Sequence, residues 1–165
     1  MLPPKVIMSP IDFSGHSHEA LDSAVELASC FRSEICLVHV VPAIPKLPSP
    51  SAIFREREYE EELHKDAQNR LEQLAAKIRQ RGLTVKTVVA TADDVSMELL
   101  RVAEHNNVDL IVIATHGMSG WRKLAFGSVT EKVVRLATCP VLMMRIRGED
   151  ESADPVKKDS FVASR

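Results

Sequence analysis

Apolar residues along the chain gather into five short blocks, separated by longer stretches in which apolar positions recur every three or four residues. Short apolar blocks rich in β-branched side chains are the mark of strands buried on both faces. The first is KVIMSPI, Lys5 to Ile11, where Pro10 marks the place at which sheet pairing stops. EICLVHVV, Glu34 to Val41, is the second and is closed by Pro42. LTVKTVVAT, VDLIVIAT and CPVLMMRI complete the set.

The stretches between them carry helical periodicity. After a turn over DFSGHS, the segment HEALDSAVELASCF sets Ala20, Ala24, Leu27 and Ala28 on one face. PAIPKLPSPSA is Pro-rich and reads as a surface loop, followed by a long charged helix from about Ile53 to Arg81 that Gly82 ends. Acids and bases in REREYEEELHKD fall at helical spacings, the pattern of a solvated face with ion pairs. DDVSMELLRVAEHNN has an Asp available as N-cap, and SVTEKVVRLAT is the last helix. Strand and helix alternate regularly, which predicts an α/β fold: one open parallel sheet covered on both faces, with right-handed crossovers. A single domain is expected over residues 1–147, with a polar, disordered tail over 148–165.

Composition narrows the function. A net charge of −2 without a basic stripe, and few aromatic residues for base stacking, argue against nucleic acid as a partner. The odd cysteine count, Cys30, Cys36 and Cys139, within apolar segments suits reduced, buried thiols, with Cys30 and Cys36 expected in the core. No apolar run reaches membrane-spanning length and the N-terminus lacks signal-peptide character, so a cytoplasmic protein with no membrane partner is expected. His16 and His18 read as solvated loop histidines rather than metal ligands.

Candidate chemistry lies in DLIVIATHGMSGWRKLAFGSVTEKVVR, where an apolar run gives way to a loop containing Gly117, Gly120 and Gly127. Ligands of open parallel sheets bind beyond the carboxyl ends of the strands, where the winding reverses. That rule selects SPIDFS, HVVPA and the glycine loop. Gly127 and Ser128 precede a helix whose free amides can accept an anion, and the hydroxyls of Ser128 and Thr130 can donate to phosphate oxygens. From spacing alone the loop is either a phosphate cradle or plain helix-cap punctuation. Asp12 is likewise either a ligand or the acceptor of a local turn bond. Neither a Walker-type phosphate loop nor a Gly-x-Gly-x-x-Gly dinucleotide fingerprint is present, which disfavours a motor ATPase or an ordinary dehydrogenase.

The order of elements, the SPIDFS segment and above all ATHGMSGWRKLAFGSVTEKVVRLATCPVLMM resemble the universal stress protein family. Its ATP-binding members carry Gly, two residues, Gly, nine residues, then Gly followed by Ser or Thr. Here nine residues separate Gly117 from Gly127, and Ser128 follows. Ala114 stands where the first Gly would be, and ATADD replaces the family's Gly-x-Pro after the third strand. The resemblance implies strand order 3-2-1-4-5 and an ATP site, with Mg²⁺. It places Pro10, Ile11 and Asp12 at the end of the first strand, with Asp12 near the ribose or a metal. Val40 is the residue whose backbone reads the adenine edge. Ala114, His116, Gly117, Gly127, Ser128, Val129 and Thr130 then surround the phosphates; His116 has no partnered nucleophile and is placed with the binding positions, not as a general base. A homodimer through the last strand, Pro140 to Ile146, is also implied. The alternatives are a slow ATP hydrolase or transferase on the same fold, and a dimerisation module that holds no nucleotide.

Overall fold

The structure, a computed structural model, describes residues 3–43, 50–115 and 127–145, without the side chains of 50–57. Its elements are β1 (Val6–Pro10), α1 (Gly15–Phe31), β2 (Glu34–Pro42), α2 (Pro50–Arg79), β3 (Val85–Ala92), α3 (Val95–His105), β4 (Leu110–Ala114), α4 (Ser128–Leu136) and β5 (Val141–Met144). The strands form one parallel sheet in the order β3-β2-β1-β4-β5, as expected. β1 lies at its centre, with β2 on one side and β4 on the other, so the winding reverses beside its carboxyl end.

Period-two alternation divides the strand residues between two cores. Ile7, Ile35, Leu37 and Val112 are buried with Ala24, Val25, Leu71 and Ala75 from α1 and α2. Met8, Cys36, Val38, Ile111 and Ile113 point the other way, onto Leu99, Val102 and Val133 of α3 and α4. Removing a side chain as large as Leu71 from water stabilises the fold by roughly 1.5–3 kcal/mol, and both sheet faces repeat the effect. At the amino end, Asp109 accepts from the amides of Lys5 and Val6 at 2.8 and 3.0 Å, which aligns β1 with β4.

Some local expectations are corrected. α1 starts at Gly15 rather than His18, because Ser14 is its N-cap and accepts from the Ser17 amide at 3.2 Å. His16 and His18 are therefore half-buried helix residues, and the His18 ring donates from Nδ1 to the Ser14 carbonyl at 2.7 Å. α2 begins at Pro50, since proline is well tolerated in a first helical turn, where its missing N–H has no partner to lose. It ends at Arg79, and Gly82 follows in the left-handed region at φ 84°. Cys36 is fully buried, and burial pushes its thiol up to about 11. Cys30 is exposed, because the buried face of α1 runs through Ser17, Ala20, Leu21, Ala24, Val25 and Ala28 and leaves position 30 on the other side. The predicted tail over 148–165 lies outside the described residues.

Candidate functional site

A cavity of about 460 Å³ opens at the carboxyl ends of β1, β2 and β4, where the winding reverses. That volume is within the usual range for small-molecule and cofactor sites. The end of β1 supplies Pro10, Ile11 and Asp12, and β2 supplies Val40. Ala114 closes β4, and Gly127, Ser128, Val129 and Thr130 come from the start of α4. Three segments far apart in sequence thus meet in one place. His116 and Gly117, with Gly120 and Trp121, lie outside the described residues.

Each wall has a local cause. Asp12 accepts from the amide and the hydroxyl of Ser14 at 3.0 and 2.6 Å, so the turn bond expected from its sequence setting is present in a residue that also lines the cavity. Phe13 then takes φ 64°, a left-handed value that bends the chain away from the sheet into α1. Its ring packs against the guanidinium of Arg70, 3.8 Å from the ring centroid, and against the His39 ring, 4.6 Å centroid to centroid. His39 donates from Nδ1 to the Ile11 carbonyl at 2.6 Å. Burial is the main cause that lowers its pKa; the bond to Ile11 and the charge of Asp12 oppose it, and Arg70 reinforces it.

The opposite wall is the start of α4. Gly127 is its N-cap, without a side-chain capping bond, and the first helical bond runs from the Glu131 amide to the Gly127 carbonyl at 2.9 Å. The amides of Ser128, Val129 and Thr130 precede that bond, so they have no partner within the helix and carry its positive dipole end. Gly127 has φ −58° and ψ 144°, a backbone open to any residue. A Cβ built on it would meet the Thr115 carbonyl oxygen at 3.6 Å, an ordinary contact. Among the described residues, neither backbone strain nor crowding asks for glycine there.

Thr130 departs from its expected role. Its hydroxyl donates to the Ala114 carbonyl at 2.8 Å and the residue is buried, so the group proposed as a phosphate donor instead joins α4 to β4. Ser128 is exposed, with its hydroxyl at the helix start. Lys132, one turn into α4, is held by Asp94, the N-cap of α3. Hydrogen bonds from Lys132, then Ser96, then the Met97 amide keep that carboxylate well below the usual range.

Sequence reasoning missed the cavity's apolar floor, which Val38 and Ile113 share with Val95 and Leu99 of α3. Nothing in the α3 periodicity distinguishes a residue facing the sheet from one facing a gap beside it. His39 was also missed; the single histidine of EICLVHVV, next to the strand end, was the available signal.

The chain is similar to known proteins over most of its length. The model of the universal stress protein family matches residues 4–145. Universal stress protein YxiE of Bacillus subtilis is 34% identical over 141 residues, spanning 82% of this chain and 95% of its own. The structure of MJ0577, a universal stress protein of Methanocaldococcus jannaschii, superposes with a TM-score of 0.78 at 26% identity and covers 90% of this chain and 99% of its own. A universal stress protein from Archaeoglobus fulgidus, solved in complex with dAMP, shares the fold at 19% identity with a TM-score of 0.56, over 87% of this chain and 98% of its own.

Proposed function

We propose that this chain, which belongs to the universal stress protein family, binds ATP in the crevice between β1, β2 and β4 and acts as a nucleotide-dependent module of a cytoplasmic stress response. The observation that carries the reading is Gly127. Its backbone needs no glycine and its surroundings leave room for a side chain, so the missing Cβ is best explained by a ligand that approaches there. The group approached is anionic, because three first-turn amides without a partner in the helix and the helix dipole converge beside it.

The remaining walls fit the other parts of an adenine nucleotide. The apolar floor of Val38, Val95, Leu99 and Ile113 suits the faces of a base, and Val40 presents backbone polar groups at its edge. Asp12, which lines the same cavity, is assigned to the ribose or to Mg²⁺ accompanying the phosphates, whose charge the cation would partly neutralise. His116 and Gly117 belong to the proposed phosphate cradle by their place in the motif. That a fold neighbour was solved with dAMP is consistent with an adenine nucleotide as the ligand class. A homodimer formed through β5 completes the reading: β5 is an edge strand, and Leu142 and Met143 on it are exposed.

Calorimetry with ATP, AMP and adenosine tests the assignment. Affinity should fall in that order, because the α4 amides recognise phosphate. Equal affinities would remove phosphate recognition, and no binding of any of the three would favour a module without nucleotide.

A further inference from the structure

We propose that His39 is a positioning residue: by taking the Ile11 carbonyl, its ring ends the β1–β2 ladder one rung early and leaves the backbone of Val40 available to the ligand. In a parallel ladder successive residues of a strand turn their N–H and C=O to opposite neighbours. The Glu34 amide donates to the Lys5 carbonyl and the Val38 carbonyl accepts from the Ile11 amide, both at 2.8 Å, so even-numbered residues of β2 face β1. The Ile35 amide donates to the Thr84 carbonyl at 2.9 Å, so odd-numbered residues face β3. Val40 is the next even position, and the next rung would join its N–H to the Ile11 carbonyl.

That rung is replaced. The Ile11 carbonyl accepts instead from His39 Nδ1 at 2.6 Å. The backbone of His39 serves β3 while its side chain reaches back to the end of β1. A carbonyl oxygen can only accept, so the Nδ1 proton is assigned by its partner. The Phe13 ring packs on the imidazole and also against the Arg70 guanidinium of α2, with the charges of Arg70 and Asp12 both felt at His39. The left-handed Phe13 carries the chain away before it can follow β2 further. Val40 is left lining the cavity with its N–H and C=O pointing into the space that β1 has vacated. One donor beside one acceptor on a strand edge matches the edge of a heteroaromatic base. Only the identity of that base rests on the function proposed above.

Amide hydrogen exchange of the full chain, followed by NMR, tests the inference without any ligand. In the wild-type protein the Val40 amide should exchange at least tenfold faster than those of Val38 and Val41, and His39 should be the Nδ1–H tautomer. His39→Leu frees the Ile11 carbonyl, so the Val40 amide should gain about tenfold or more in protection. His39→Asn, which can place an amide donor near the Nδ1 position, should behave like wild type. With nucleotide, His39→Leu should narrow the preference for ATP over inorganic tripolyphosphate about tenfold, while tripolyphosphate affinity stays constant and His39→Asn restores the preference. A protected Val40 amide in wild type, a bare Nδ1, or unchanged exchange in folded His39→Leu overturns the proposal. If the exchange pattern holds but no nucleotide binds, the positioning role stands and the proposed function falls.

Discussion

Thr130 donates its hydroxyl to the main-chain carbonyl of Ala114 at 2.8 Å, so the first turn of α4 hangs from the last residue of β4. Both residues are buried, and that bond, together with the Gly127 amide donating to the Thr115 carbonyl at 2.9 Å, holds the proposed phosphate-binding helix end against the sheet. Thr130→Val keeps the shape and leaves the carbonyl without its partner. Urea denaturation should show a loss of about 1–3 kcal/mol, with the denaturant slope unchanged.

Ser128→Ala is the contrasting change at the same helix end. Its hydroxyl is exposed at the helix start, so stability should hold. ATP affinity should fall about tenfold or more, the roughly 1.5–3 kcal/mol of a hydrogen bond to a charged group. Unchanged affinity by calorimetry would remove Ser128 from the site.

Gly127→Val separates a phosphate cradle from helix punctuation. A glycine held at positive φ would make such a variant strained, but Gly127 sits at φ −58°. The apo protein should therefore fold and melt close to wild type, while ATP binding is lost because the branched side chain occupies the ligand's space. Full ATP affinity in the well-folded variant would leave the glycine as punctuation.

The proposed dimer predicts a mass effect. Met143 lies exposed on the edge strand β5, and Val134 and Leu136 are exposed on the neighbouring α4. Wild type should be dimeric by light scattering at ~10 μM, and Met143→Glu should shift it towards monomer, since a charge there would be buried against its symmetry mate. A monomeric wild type at that concentration would end the proposal.

Acid sensitivity should carry a His39 component. Its pKa is lowered in the folded protein from 6.5, so on acidification the unfolded chain takes up the proton first. Stability is then lost as pH falls below about 6.5, continuing down to the folded value. Glu72, Asp94 and Glu98 are lowered too, but carboxylates lose their contribution only below their own ordinary values, near pH 4. Between pH 7.5 and 5.5 the urea midpoint should drop less in His39→Asn than in wild type.

Much of this molecule was legible in its residues because the signals are local. Short two-sided apolar blocks such as VIM and LIVI, rich in β-branched residues, read as interior strands, and their alternation with amphipathic helices leaves a doubly covered parallel sheet as the simplest solution. Gly127-Ser128 at a helix start pointed to the crevice for the same reason: free first-turn amides follow from any helix beginning. The resemblance supplied the strand order, which periodicity by itself leaves open.

Other features needed the folded chain. Thr130 and Ser128 both carry hydroxyls two positions apart, and only the approach of β4 decides that one is tied to Ala114 while the other faces the opening. Cys30 looked as buried as Cys36 until the rotation of α1 turned it to solvent. Whether Gly127 is a conformational or a steric necessity depends on a φ angle and on what lies 3.6 Å away, neither of which has a sequence signature. His39 is the extreme case. Its significance lies in which carbonyl its ring reaches, 28 residues back along the chain, and that distance closes only when β1 and β2 pair in register. The sequence determined which segments are strands and helices; the meeting of their ends, a long-range packing event, decided which polar groups are paired and which remain open to a ligand.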